Sequence, residues 1–156
     1  MIKSTINAQI AQALKEKDEI RLSTLRMLSS ALNYEFIAKQ HELSDEEEIV
    51  VVKKEAKKRK DAIEVLKEVE GKKTESKISV AERIKKEEEE LNILHEFLPE
   101  EVEDSLLEKW IDQVIKETQA KQISDMGKVI GMVIAKAKGN ADGAKVAKLV
   151  KEKLTS

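Results

Sequence analysis

Only one proline interrupts this chain of 156 residues, and it stands at position 99. Elsewhere apolar residues recur at spacings of three and four, the period of an amphipathic helix, with five glycines to break the pattern. Ile2, Ile6, Ile10, Ala13 and Leu14 make one such stripe. Asp18 offers an N-cap for a second helix, whose stripe is Leu25, Leu28, Leu32 and Phe36, with Ile20 and Leu22 at its entry. So little chain separates the two that a tight turn must join them, and both are expected to pack against later helices as one layer. Scarce glycine and proline exclude a turn-rich β-sandwich and a flexible linker protein. The expected fold class is all-α.

Ser44 with Glu47 three residues on makes a capping box, and Asp45, Glu46, Glu47 and Glu48 place negative charge at the positive end of the helix dipole. That helix is expected to run to about Glu70, with Gly71 as its left-handed C-terminal residue. Ile49, Ala56 and Ile63 recur every seven residues, interleaved with Val52, Arg59 and Leu66, a coiled-coil-like seam interrupted by one arginine. After a polar turn from Gly71 to Ser79 comes a second seam, Val80, Ile84, Leu91, Leu94 and Leu98, with Glu87 inside it. Two seams joined by a short polar link predict a long antiparallel helical hairpin. Arg59 and Glu87 either pair across it or snorkel separately to solvent.

Pro99 disfavours helix just before it, and acids follow at 100, 101, 103 and 104. This predicts a boundary between an N-terminal helical domain, 1–98, and a small C-terminal domain of three helices, 99–156. The first of these starts near Asp104 and carries Leu106, Leu107, Trp110, Ile111, Val114 and Ile115. Ser124 is expected to cap the second, which carries Met126, Val129, Ile130, Val133, Ile134 and Ala137 and ends at Gly139. Asp142 caps the third, with Val146, Leu149, Val150 and Leu154. Gly127 and Gly131 form a GxxxG whose expected purpose is close approach of a neighbouring helix, since each costs roughly 1 kcal/mol relative to alanine in a helix interior.

The composition removes several chemistries. There is no cysteine, hence no disulfide framework, thiolate zinc site or cysteine nucleophile. No apolar run approaches the ~18 residues of a membrane span, and no signal-peptide pattern opens the chain, so the expected location is cytoplasmic. His41 and His95 lack metal-ligand spacing, and neither a phosphate-binding glycine loop nor a nucleophile elbow is present. No catalytic set is recognisable, which leaves enzyme activity open for an all-helical chain, and no metal or cofactor is expected.

Charge is where the sequence speaks of partners. The net charge of -2 excludes a uniformly basic nucleic-acid binder. From Ala120 onward, however, eight lysines (121, 128, 136, 138, 145, 148, 151 and 153) stand against Asp125, Asp142 and Glu152, an excess of five positive charges. The residues before it then carry seven net negative charges. Such asymmetry suits an end that meets phosphate, although lysine-rich faces are also ordinary solvated surface. A second basic run, Lys53 to Lys60, faces an acidic run, Glu87 to Glu90, and most simply pairs with it. At the turn from Lys138 to Gly143 the carboxylate of Asp142 would occupy the helix-start N–H groups, leaving phosphate contact to Lys136, Lys138 and Lys145.

Several stretches carry a family resemblance. They are Lys17-Asp18, Arg21 to Leu28, Lys58 to Glu64, Leu91 to Pro99, Asp125 to Gly131 and Lys136 to Gly143. Together they resemble the YqeY-like family over nearly the whole chain. In its C-terminal, GatB/YqeY-type domain, that family is similar to the tail of the B subunit of the tRNA-dependent amidotransferase. The resemblance implies a tRNA-contacting role, with Lys128, Lys136, Lys138, Asn140, Lys145 and Lys148 as the candidate tRNA-binding residues. The family commonly carries a basic residue where this chain has Asn140, which removes one candidate phosphate contact. It also implies a glutamine-dependent carbon–nitrogen ligase label, for which the sequence supplies no catalytic residues. The expected function is a non-catalytic tRNA-associated binding or accessory protein, with the amidotransferase or another protein as a possible partner. The alternatives are a helical protein-interaction module and a ligase in its own right.

Overall fold

The computed structural model describes residues 1–70, 79–138 and 140–155. Among these residues it holds seven α-helices, one short 3₁₀ turn and no strand. They are α1 (Ile2–Glu16), α2 (Glu19–Lys39), α3 (Asp45–Val69), α4 (Val80–His95), α5 (Asp104–Thr118), α6 (Met126–Lys136) and α7 (Gly143–Thr155), with the 3₁₀ turn at Ile123–Asp125. The fold is all-α. The chain divides into two compact units, 1–98 and 99–156. No described helix is long and apolar enough to cross a membrane.

In the N-terminal unit, Lys17 adopts a left-handed conformation (φ 57°) that stops α1, and Asp18 accepts a hydrogen bond from the Arg21 N–H at 2.9 Å to start α2. Ser44 and Glu47 close the capping box on α3, with the Ser44 N–H donating to Glu47 at 2.9 Å. Ser79 and Glu82 make a second box on α4. α3 ends at Val69, with Glu70 extended. Gly71 and the polar turn after it, through residue 78, lie outside the described residues, as does Gly139.

The core of this unit joins Ile6 and Ala13 of α1, Leu25, Leu28 and Leu32 of α2, Val51, Val52 and Ala56 of α3, and Leu94 of α4. Leu14, expected in the α1 stripe, is more than half exposed. The end of the α1 stripe therefore turns to solvent. Leu94, late in α4, joins Val51 and Val52, early in α3, whereas Arg59 further along α3 meets Glu90 and Glu87. These contacts run in opposite senses along the two helices.

Three carboxylates are buried here. Glu48 accepts the backbone N–H groups of Ile2 and Lys3, the latter at 3.1 Å, so α3 supplies the cap that α1 lacks from its own sequence. Glu55 accepts from Lys58 at 2.6 Å. Glu90 lies 2.7 Å from the Arg59 Nε.

The C-terminal unit builds a separate core from Leu107, Ile111, Val114, Ala120, Val129, Val133, Val146 and Val150. Trp110 packs partly buried against it. Leu106, expected on the apolar face of α5, is exposed. Ser124 does not cap α6 as expected. It sits inside the 3₁₀ turn, which runs directly into α6, and its hydroxyl faces the Gln122 side chain at 3.4 Å. Asp125 instead closes the 3₁₀ turn, accepting the Lys121 and Gln122 N–H groups at 3.1 Å each, and α6 has no side-chain cap. The glycine expectation also fails. Gly127 and Gly131 are exposed, and a Cβ at either would meet nothing within 4 Å. Among the described residues no neighbouring helix comes into contact with either glycine.

Candidate functional site

The six sequence candidates all fall on α6, α7 and the segment between them. Lys128 is exposed on α6, on the same face as the two glycines and Ala135. Lys136 is half-buried in the last turn of α6. Lys138 follows in a left-handed conformation (φ 50°), its N–H donating to the Ala135 carbonyl at 3.1 Å, and its side chain is exposed. Asn140 is half-buried, and its backbone ties the turn together. Its N–H donates to Ala137 at 2.9 Å, and its carbonyl accepts from the Val102 N–H at 3.1 Å. Asn140 thus has a structural role through its main chain, independent of its side chain.

On α7, the Asp142 carboxylate accepts the Ala144 N–H at 2.9 Å. One of the helix-start donors that could bind an anion is therefore engaged by an acid of the chain itself, whose charge would also repel that anion. Lys148 and Lys151 occupy the exposed face of α7, opposite the buried Val146 and Val150.

The lysines divide into two groups. Lys145 forms an ion pair with Asp104 at the start of α5, and this contact, with further attraction from Glu101 and Asp142, raises its pKa. Lys153 pairs with Asp112 at 2.6 Å. By contrast, Lys128, Lys136, Lys138 and Lys148 make no ion pair among the described residues. Lys128 is close enough to Asp125 to help lower that carboxyl's pKa, though the two backbone N–H groups of Lys121 and Gln122 contribute more. The whole unit from Pro99 carries ten lysines and ten acids, so its basic character is local to α6 and α7, with the acids concentrated before and along α5.

Among the described residues no group of three histidines or acids is placed to hold a metal ion. A depression between α2 and α3, lined by Glu35, Lys39, Glu46, Glu47 and Val50, encloses about 140 Å³, below the ~300 Å³ of an ordinary small-molecule pocket. Its carboxylate Glu47 is held by Lys39 and by the Ser44 N–H at about 2, well below its ordinary 4.5. His41 bonds the Glu42 carbonyl at 2.8 Å.

Sequence reasoning found the lysines but missed Asp104 and Asp112 as their partners. A signal was present. The two acids are eight residues apart, and so are Lys145 and Lys153.

An all-helical chain whose last unit carries unpaired lysines on two helices over an apolar core defines the class: a helical protein with a locally basic surface and no described metal site. More particularly, the family model described as "Yqey-like protein" matches residues 3–154, and the chain belongs to the YqeY-like family. No curated protein matches the chain.

Proposed function

We propose that this protein is a non-catalytic RNA-binding protein that holds the phosphate backbone of tRNA through its C-terminal unit. Lys128, Lys136, Lys138 and Lys148 supply the contacts, and Asn140 shapes the turn between the two helices. The observation that carries the reading is that these four lysines make no ion pair among the described residues, while Lys145 and Lys153 beside them are paired. Lysines without internal partners are the groups that can exchange counterions for phosphate. Membership of the YqeY-like family supports the same reading through the likeness of its C-terminal domain to the amidotransferase tail. On that likeness the protein serves as an accessory to tRNA-dependent amidation and leaves the chemistry to a partner.

The test is titration of the full chain with tRNA over a series of salt concentrations. Two to four phosphate contacts predict a log–log slope of about -1.4 to -3.6, at 0.7–0.9 per contact. The variant Lys136→Glu/Lys138→Glu/Lys148→Glu is expected to abolish binding while keeping its helical circular dichroism. Absence of binding at low salt, or binding that survives this variant, overturns the reading.

One observation favours a second reading. Tyr34 and Ile37 of α2 are 77% and 69% exposed, and such side chains in the N-terminal unit suit a docking partner. Under that reading, binding to a partner would be lost on Tyr34→Ser/Ile37→Ser and would be insensitive to the lysine variant.

A further inference from the structure

Asp104 and Lys145 pair at the start of α5 and α7, and Asp112 pairs with Lys153 two turns further along both helices. The eight-residue spacing on each side corresponds to about 12 Å of helix, so α5 and α7 run in the same sense, joined by two rungs of a charge ladder. Both aspartates are well exposed, at 63% and 64% of their side chains. Exposed pairs of this kind contribute little to holding a fold together. They do change what the surface offers to an anion. A lysine already facing a carboxylate releases fewer counterions on meeting phosphate, and the carboxylate itself repels it.

We infer that Asp104 and Asp112 are built-in competitors for a polyanion, holding Lys145 and Lys153 to α5 so that the basic surface meets an RNA backbone with fewer lysines and releases it readily. This rests on the RNA-binding reading above, and it assigns α5 a function beyond packing: it tunes the strength and salt sensitivity of that contact. Of the candidate lysines, Lys145 is the one withheld.

The experiment compares the full chain with Asp104→Asn, Asp112→Asn and the double variant, each titrated with an unmodified tRNA transcript between about 50 and 500 mM salt. Asp104→Asn, which removes the ion-pair partner of Lys145, is expected to steepen the salt slope by about 0.7–0.9 and to tighten binding on the order of tenfold at the lowest salt, and Asp112→Asn to shift both in the same direction. Glu117→Gln is the control. It removes the same formal charge from α5, where Glu117 accepts a hydrogen bond from Gln113 at 2.9 Å and has no lysine partner among the described residues. The control is expected to change the slope by much less than either aspartate variant. Thermal melts of all variants report whether the helices remain folded.

Binding by the aspartate variants equal to or weaker than wild type overturns the inference, as does an equal effect of Glu117→Gln. If wild type binds and the lysine variant does not, but the aspartate variants match wild type, the inference falls and the RNA-binding reading stands. If wild type fails to bind and the double variant binds, the competition is real and the reading of the wild-type protein falls. If neither binds, both fall.

Discussion

The two units treat charge in opposite ways. The N-terminal unit buries Glu48, Glu55 and Glu90, and holds Arg59 at 13% exposure among them. Among the described residues the C-terminal unit buries no charged side chain. Its core is apolar, and its lysines and acids all lie toward solvent. Buried charge tolerates few arrangements, because an ion withdrawn from water without its partner costs several kcal/mol. It therefore ties α1 to α3 through Glu48, and α3 to α4 through Arg59. Arg21 adds a more exposed link from α2 to the end of α4, its guanidinium donating to both oxygens of Glu96 at 3.0 and 2.7 Å. Surface charge contributes little to folding and remains available for a partner. The difference teaches where to look for each role: charge that fixes helix register in the first unit, charge that can meet phosphate in the second.

The sharpest way to break this comparison is to remove one ion from each unit. Arg59→Met leaves Glu90 and Glu87 without their cation and is expected to cost about 3–5 kcal/mol. Asp112→Asn, which also breaks an ion pair, is expected to cost no more than about 1 kcal/mol. Urea unfolding of both variants measures the contrast. Adding Glu87→Leu and Glu90→Leu to Arg59→Met should recover the loss, because an apolar set of similar volume needs no desolvation of ions. Glu87 Oε2 and Arg59 Nε are buried without a hydrogen-bond partner among the described residues, which makes this layer a place where apolar replacement gains. Equal costs for the two single variants would erase the distinction between the units.

A smaller effect tests the exposed face of α6. Gly127→Ala and Gly131→Ala are each expected to stabilise the protein by about 0.5–1 kcal/mol, since alanine restricts the unfolded chain and nothing obstructs its methyl group. A fall in melting temperature would show that the C-terminal unit packs something against that face.

The smallest expected effect is one of pH in the N-terminal unit. Glu47 is held at about 2 by Lys39 and the Ser44 N–H, against an ordinary 4.5. A carboxyl whose pKa is depressed by folding stabilises the native state above about 4.5 and loses that contribution as the pH falls toward 2. Melting temperature should therefore drop across that window, and Glu47→Gln should flatten this part of the profile. An unchanged profile would show that the Glu47 contacts contribute nothing to folding.

Local features are legible in the order of the residues. The start of α3 rests on Ser44 and Glu47, three residues apart, and that of α2 on Asp18 and Arg21. Both are decided by hydrogen bonds within one turn. The apolar spacing of Leu25, Leu28 and Leu32, and of Val129 and Val133, likewise marks the buried faces that form. Where the sequence misleads, the deciding contact lies elsewhere. Ser124 has the side chain of a cap, yet the 3₁₀ turn leads straight into α6 and Asp125 takes the local N–H groups. Gly127 and Gly131 have the spacing of a helix contact, yet among the described residues nothing lies within 4 Å of a Cβ at either. Glu48 reads as one of four acids at a helix start, but it caps a different helix.

By itself, then, the sequence determined that this is an all-helical chain, most of its helix starts and the position of its lysines, because helix period and capping are set by residues three and four apart. Tertiary structure decided which charges are buried and which lysines are already answered. Arg59 and Glu90 are 31 residues apart, and Asp112 and Lys153 are 41 apart. Coulomb attraction depends on distance in space, and only the packing of the helices brings those groups within reach of each other.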